Sequence, residues 1–431
     1  MVYKVIGLMS GSSLDGLDIV YAHLQETVST IKGNVRKWEY SILHADCYPY
    51  TEEWQDKLAT ARDLPAGEYL LLHTAYGQYL GEQVLRFVDT HNLHYQVQLI
   101  ASHGHTTFHL PEKKMTAQLG DGAALAAVTK INVVSDLRAM DVALGGQGAP
   151  IVPVGERLLL KDYTYFLNLG GIANVSAYGA AFDVCPANRV LNELAALAGK
   201  EHDEAEGLVG KTFDEGGRMA ARGQVNDELL QRLNKLPYYD KPYPKSLANE
   251  FGTETVLPVV KEAIRGRAGS DAGVGKGISV GISIYDALRT YVEHIAVQVQ
   301  RAVEGLRAEG VPGGGTERSP DGGGENSSVG GTGQSGKLSD DKTGQTADGE
   351  KMLVTGGGAH NIFLVSRLQK LLAPLGVEVV VPEAQLVDYK EALVMALIGV
   401  LRWREENNVF ASVTGASRDS IGGAVWIGQE A

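Results

Sequence analysis

Two cysteines, Cys47 and Cys185, are all that the 431 residues contain. They stand far apart and without the spacing of a metal knuckle, which excludes a disulfide framework and a cysteine-based zinc site and suits a reducing compartment. Basic residues are also few, 39 Lys and Arg against 52 Asp and Glu, for a net charge of −13. With no Lys/Arg cluster to release counterions from phosphates, nucleic acid and an anionic membrane are excluded as main partners. Long apolar runs are missing: the longest, near Ala392 to Leu401, is shorter than the roughly 20 residues needed to cross a bilayer. Nor does the N-terminus carry an apolar segment followed by a small-residue cleavage site, so the expected location is cytoplasmic.

Core-forming residues, by contrast, are plentiful. Hydrophobic residues make up 44% and charged residues 21% of the chain, enough for more than one core, and two lobes are expected. Strand patterns at Val5 to Leu8, Leu17 to Leu24, Leu99 to Ser102, Val133 to Ser135, Tyr165 to Leu169, Ala173 to Tyr178, Met352 to Thr355 and Val377 to Val381 alternate with helical periods, as over Tyr69 to Asn92 and Ile284 to Leu306. This interleaving predicts an α/β fold with mixed sheets flanked by helices. Pro312 to Glu350 is rich in Gly, Ser, Thr, Asp and Gln and almost empty of aliphatic and aromatic residues. Such a stretch buries too little to offset ordering entropy and reads as a disordered insertion; its Gly triplets follow no strand and make no phosphate loop.

Glycine marks the places where chemistry could occur. After the apolar strand Lys4 to Leu8 comes Met9-Ser10-Gly11-Ser12-Ser13-Leu14-Asp15-Gly16-Leu17-Asp18. Gly11 and Gly16 allow close approach to a ligand, the hydroxyls of Ser10, Ser12 and Ser13 can donate to phosphate oxygens, and Asp15 can hold Mg²⁺ directly or through water. By itself this is also the composition of a plain hairpin turn. The design recurs in Asn168-Leu169-Gly170-Gly171-Ile172-Ala173-Asn174, and a third strand stops at Thr355-Gly356-Gly357-Gly358-Ala359-His360-Asn361. Three glycine turns that each follow a buried-type strand point to a nucleotide clamped between two related lobes.

Together with Ser102-His103-Gly104, Asp136-Leu137-Arg138, Gly145-Gly146-Gln147-Gly148-Ala149-Pro150, Phe182-Asp183, Pro186, Asn188, Pro244-Lys245-Ser246 and Val413-Thr414-Gly415-Ala416, these motifs resemble, in order and over nearly the whole chain, the anhydro-N-acetylmuramic acid kinases. That family lies within the superfamily of actin, sugar kinases and heat-shock chaperone ATPases. The resemblance implies a two-lobed actin-like, ribonuclease H-like fold with a central cleft. The lobes divide as 1–137 for the first, 138–311 and 351–431 for the second, and 312–350 for the insertion. It also implies ATP and Mg²⁺ as cofactors, a homodimer, and an ATP-dependent opening of 1,6-anhydro-N-acetylmuramic acid with phosphorylation of O6, in peptidoglycan recycling. A related kinase of another sugar and a catalytically silent binding module are the alternatives.

Residue roles follow on matched positions. The resemblance puts ATP against Gly11, Ser12, Ser13, Leu14, Asp15, Gly16, Leu17, Asp18, Asn168, Gly170, Gly171, Gly356, Gly357, Gly358 and Asn361, with Asp15 at the metal. It puts the sugar against Gln118, Asp121, Arg138, Asn188 and Glu391. Asp183, placed before Pro186 and the helix beginning near Asn188, reads from its neighbours alone as a helix N-cap; the resemblance makes it the catalytic base. Arg138 fits either a substrate carboxylate, bound in a bidentate manner, or a structural pair with Asp136. Glu391 opens an apolar helix, where a first-turn charge is favourable in itself. His103, His105 and His109 suit hydrogen-bonded cleft residues better than a metal site, for want of a neighbouring Cys or acid. Val184-Cys185 and Ala187 depart from the small residues usual after the family's aspartate, and the segment around Tyr243 drifts as well, so a reshaped pocket is expected.

Overall fold

The computed structural model describes residues 1–11, 14–29, 35–201, 211–242, 245–248, 250–266, 281–310 and 349–428. Ser12, Ser13, Tyr243, Pro244 and the insertion at 312–348 lie outside the described residues.

Val2–Ser10 (β1), Gly16–Ser29 (β2) and Val35–Pro49 (β3) form an antiparallel meander. Leu99–Ser102 (β4) pairs parallel to β1, a separate hairpin follows in His105–Leu110 (β5) and Met115–Leu119 (β6), and Asn132–Ser135 (β7) lies parallel to β4. The second half repeats the plan. Tyr165–Leu169 (β8), Ile172–Ala177 (β9) and Ala180–Pro186 (β10) form a meander, and Glu350–Thr355 (β11) and Val377–Val380 (β12) add to it in parallel. The strand orders β3-β2-β1-β4-β7 and β10-β9-β8-β11-β12 are therefore one topology used twice. Parallel neighbours require a crossover, and helices supply it: Ala66–Thr90 leads into β4, Ile284–Gly310 precedes β11, and Ile362–Leu372 joins β11 to β12.

Each sheet is covered on both faces, which is why its central strands read as continuous apolar runs. On the first sheet Ile6, Leu8 and Ile100 pack toward the Ala66–Thr90 helix, whereas Val5, Leu99 and Val134 face the Ala384–Trp403 helix. That helix also meets Phe166 and Leu353 of the second sheet. The longest apolar run of the sequence is thus the rod between the two lobes, and no described helix is long and apolar enough to cross a membrane.

Close approach of this rod depends on glycine. A Cβ on Gly7 would stand 1.9 Å from the carbonyl oxygen of Ala392, and one on Gly399 would stand 2.5 Å from the Ala101 Cβ. Backbone cannot give way as a side-chain tip can. Gly7→Ala is therefore expected to cost about 3 kcal/mol or more, the upper end of overpacking penalties, read as a lowered midpoint in chemical denaturation.

One feature differs from the expected division into lobes. Ala424–Trp426 (β13) pairs antiparallel with β7, so the last strand belongs to the first sheet although 351–431 was read as part of the second lobe. The Trp426 indole donates to Ser135 Oγ (3.0 Å) and helps to hold it there. The insertion, for its part, springs from a braced base: Arg307 near the end of one helix pairs with Glu350 at the start of β11, and the Tyr165 and Tyr178 hydroxyls join them. Because its two ends are already held together, deletion of 313–348 is expected to leave the melting midpoint and turnover close to those of the full chain. A large loss of either would contradict this.

Candidate active site

Between the sheets lies a cleft of about 960 Å³ whose walls include Asn168, Asn174, Asp183, Arg138 and Glu391. The strand ladder explains how the first three come together. Across the second sheet Thr355 pairs with Asn168, Asn168 with Asn174, and Asn174 with Asp183, so four strands present one polar row. On β10 the register then shifts between Asp183 and Cys185. A bulge of this kind re-aims a side chain at the edge of a sheet.

Asp183 is held at three points. Its amide donates to the Lys245 carbonyl (3.1 Å), its Oδ2 accepts from the Leu247 amide (2.8 Å), and its carbonyl accepts from Tyr238 Oη (2.6 Å). Among the described residues, these bonds leave Oδ1 for another donor. Burial pushes the carboxyl above the ordinary aspartate range, and the Leu247 N–H, which favours the charged form, partly opposes it. A half-buried carboxylate with one oxygen fixed and one available has the character of a general base.

The second and third glycine turns meet. Asn188 Nδ2 donates to the Leu169 carbonyl (2.9 Å), and the carbonyls of Gly170 and Gly171 accept from the amides of Asn188 (3.1 Å) and Ala187 (2.8 Å). Gly356 has φ +80°, and a Cβ there would stand 2.4 Å from Asn168 Oδ1; one on Gly358 would stand 2.6 Å from the Leu169 Cβ. Only glycine permits this contact. The Gly356 amide donates to Val387 in the interlobe helix (3.1 Å), and His360 Nε2 lies 2.8 Å from Asp388 Oδ1 one residue further on.

The first turn, between β1 and β2, faces the same helix. Asp18 is pushed up to about 6, chiefly by burial and further by the charges of Asp15, Glu391 and Asp388, with the Cys47 thiol opposing. An acidic neighbourhood of this sort suits a divalent cation. Among the described residues, however, no group of three or more His, Cys, Asp or Glu side chains could hold a metal by itself, so a cation here would need ligand oxygens as well. Leu14 turns with φ 57°, and its carbonyl accepts from Gln55 Nε2 (3.1 Å).

Arg138 is half-buried without Asp136 as its partner, since Asp136 accepts from Ser135 Oγ (2.8 Å). The Arg138 Nε–H donates to His103 Nε2 (2.8 Å), and its NH1 donates to the Gly148 carbonyl (2.9 Å). Burial, together with the arginine, pushes His103 down to about 3, so it is neutral and can accept there while its Nδ1–H donates to the Gly104 carbonyl (2.9 Å). Burial pulls Arg138 itself down to about 10, still cationic at neutral pH, with Glu391 supporting the charge.

Several expected contacts do not reach the cleft. Gln118 is tied to Thr116 Oγ1 (2.8 Å) in the β5–β6 hairpin, and Asp121 caps the Gly122–Thr129 helix by accepting from Ala123 and Ala124 (2.9 and 3.4 Å). Asn188 lies between the glycine turns and is not part of the cleft wall. Asn361 caps the Ile362–Leu372 helix through its side-chain oxygen, and the Leu17 side chain is 1% exposed in the core, which leaves only the main chain of Leu17 for a nucleotide. The expected reshaping of the pocket finds no support at three of its positions, and Tyr243, its other ground, lies outside the described residues. Val184, Cys185 and Ala187 are 3%, 0% and 0% exposed and pack into the core behind β10, not into the cleft.

Asn174, Glu156 and Lys390 also line the cleft, and none of them is among the expected site residues. Asn174 ends the quoted Asn168–Asn174 motif, and its two-residue phase with Ala173 and Val175 was a usable signal. Glu156 and Lys390, 234 positions apart, form a buried pair at 3.0 Å, with Ser176 Oγ on the second carboxylate oxygen (2.5 Å). No local pattern announces such a pair.

A duplicated β-meander with parallel additions, a cleft between the halves, glycine turns at the strand ends and a half-buried carboxylate in the cleft wall define the class: a two-lobed actin-like kinase. The sequence model of the anhydro-N-acetylmuramic acid kinase family matches residues 3–319 and 335–428, omitting only part of the insertion between them. The chain belongs to that family. Proteins named anhydro-N-acetylmuramic acid kinase are similar to it: one from Gloeobacter violaceus is 29% identical over 433 residues, covering 96% of each chain. One from Haemophilus influenzae is 28% identical over 439 residues, 98% of this chain and 97% of that protein. One from Rhodopseudomonas palustris is 35% identical over 278 residues, 59% of this chain and 70% of that protein. Among solved structures, an activator of a 2-hydroxyisocaproyl-CoA dehydratase from Clostridium difficile with bound ADPNP is similar at 12% identity and a TM-score of 0.38, over 94% of this chain and 96% of that one.

Proposed function

We propose that this kinase couples hydrolytic opening of 1,6-anhydro-N-acetylmuramic acid to phosphorylation of its O6, yielding N-acetylmuramic acid 6-phosphate and ADP in peptidoglycan recycling. One observation carries the reading: Asp183 stands in the cleft wall with Oδ2 on the Leu247 amide and Oδ1 left over. Asp183 takes a proton from a water attacking the anomeric carbon. The C1–O6 bond breaks, and O6 attacks the γ-phosphorus of ATP, releasing ADP. Arg138, fixed by His103 and Gly148, offers its remaining N–H groups to the lactyl carboxylate, with Glu391 beside it. The main chain of Gly11, Asp15, Gly16, Gly170, Gly171 and Gly356–Gly358 cradles the nucleotide, together with the side chain of Asn168. Mg²⁺ would be held by Asp15, in the acidic surroundings of Asp18, and would neutralise phosphate charge.

The rival reading, a kinase of a different sugar, rests on Val184 and Cys185, which lie in the core, and on Tyr243, which lies outside the described residues. A cytoplasmic homodimer completes the proposal; light scattering on a sizing column tests the second part. The decisive experiment is turnover of the anhydro sugar with ATP and Mg²⁺, following both ADP and the sugar phosphate. Turnover on other sugars alone, or binding without turnover, would replace this reading.

A further inference from the structure

Strand β10 is the edge of its sheet, and the bulge interrupts its ladder at the residue that carries the carboxylate. Main-chain groups at such a point need other partners or they drift. Two tyrosines provide them: Tyr238 Oη donates to the Asp183 carbonyl (2.6 Å) and Tyr291 Oη to the Pro186 carbonyl (2.8 Å). Tyr238 does more than this. Its ring lies under the Lys245 ammonium (4.8 Å to the centroid), and the same ammonium is 3.5 and 3.4 Å from the carbonyls of Tyr238 and Tyr239. Lys245 and Leu247 are in turn the residues that hold the Asp183 amide and Oδ2. The contacts close a ring, Tyr238 to Asp183, Asp183 to the 245–248 segment, and that segment back to Tyr238.

We propose that Tyr238 is a positioning residue for Asp183: its hydroxyl and ring hold the bulge and the crossing segment in the arrangement that leaves Oδ1 facing the cleft. The inference rests on the reading of Asp183 as the general base. Tyr238 is equipped for the task. Burial and the neighbouring Asp183 push its phenol well up, so it remains a donor throughout the working pH range. Phe251 and Tyr239 pack its ring at centroid distances of 5.5 and 5.6 Å and leave it little freedom. Tyr291 holds a carbonyl beyond the bulge and touches neither Asp183 nor Lys245 in this way, which makes it a natural control.

Tyr238→Phe retains the ring, its packing and the Lys245 contact and removes only the hydroxyl. The expected result is a kcat about 10- to 100-fold lower, as for a catalytic group displaced by around an ångström, with the KM for ATP unchanged. The acid limb of kcat/KM should also move to higher pH. The Leu247 N–H bond favours ionised Asp183, and loosening it leaves burial to raise the carboxyl further. Tyr291→Phe should lower the melting temperature without moving that limb. The proposal is overturned if Tyr238→Phe keeps its kcat and pH profile, or if both variants change only stability. Asp183→Asn separates the two levels: should it stay active, the base assignment is wrong, whereas an inactive Asp183→Asn beside a normal Tyr238→Phe removes only the role of the tyrosine.

Discussion

Asp183→Asn is expected to lower turnover by about 10² to 10⁴, the usual contribution of a positioned general base, while ATP binding persists. Asparagine is nearly the same size and its carbonyl oxygen can still accept from the Leu247 amide, so the fold around β10 should be unchanged. What disappears is the second, basic oxygen, the one not held by Leu247. Turnover and nucleotide affinity measured on the same preparation check both halves, and near-normal turnover would end the assignment. The wild-type pH profile provides a second check. Burial raises the Asp183 carboxyl, and the base works only when ionised. Activity should therefore fall as pH drops through a value above the ordinary aspartate range, and Asp183→Asn should lack that titration.

Lys390→Met should cost about 3–5 kcal/mol of stability, because it leaves the Glu156 carboxylate buried without its counter-charge. The two side chains are 6% and 7% exposed, and among the described residues the carboxylate would retain only Ser176 as a donor. A double variant, Lys390→Met with Glu156→Leu, should recover much of the loss, since an apolar pair of similar volume avoids desolvating charge. Denaturation midpoints of wild type and the three variants close a double-mutant cycle; an additive result would show that the pair is uncoupled. Lys390 lies on the interlobe helix and Ser176 on β9, so the single substitution should also weaken the join between that helix and the second sheet.

Much of the fold was legible in the order of residues. Lys4 to Leu8, Tyr165 to Leu169 and Met352 to Thr355 are apolar enough on both faces to announce central strands, and glycine at each end marks where the chain must turn close to something. The strands that escaped notice have weaker patterns. β3 mixes Lys37, Glu39 and His44 among its apolar residues, β5 and β6 form a small half-polar hairpin outside both sheets, and β13 has three residues, too few for any period to register.

The site divides along the same line. Asp183, Arg138, Asn168 and Glu391 are expected at the site through the family resemblance of the motifs around them, and all line the cleft. Gln118, Asp121 and Asn188 have the same polar character but spend it on a hairpin, a helix cap and a glycine turn. Val184 and Cys185 stand next to Asp183 in the chain yet face the opposite way, because the bulge aims one side of β10 at the cleft and the other at the core.

Local pattern was enough to establish the repeated strand and turn plan, the glycines and a candidate carboxylate, because backbone preference and burial period act over a few residues. Folding alone settled which polar groups face the gap, which partner holds Arg138, how Tyr238 reaches Asp183, and that Glu156 finds Lys390. Those outcomes depend on bulges, helix crossings and contacts between residues up to hundreds of positions apart, and a hydrogen bond or ion pair forms wherever the packed chain brings the atoms together.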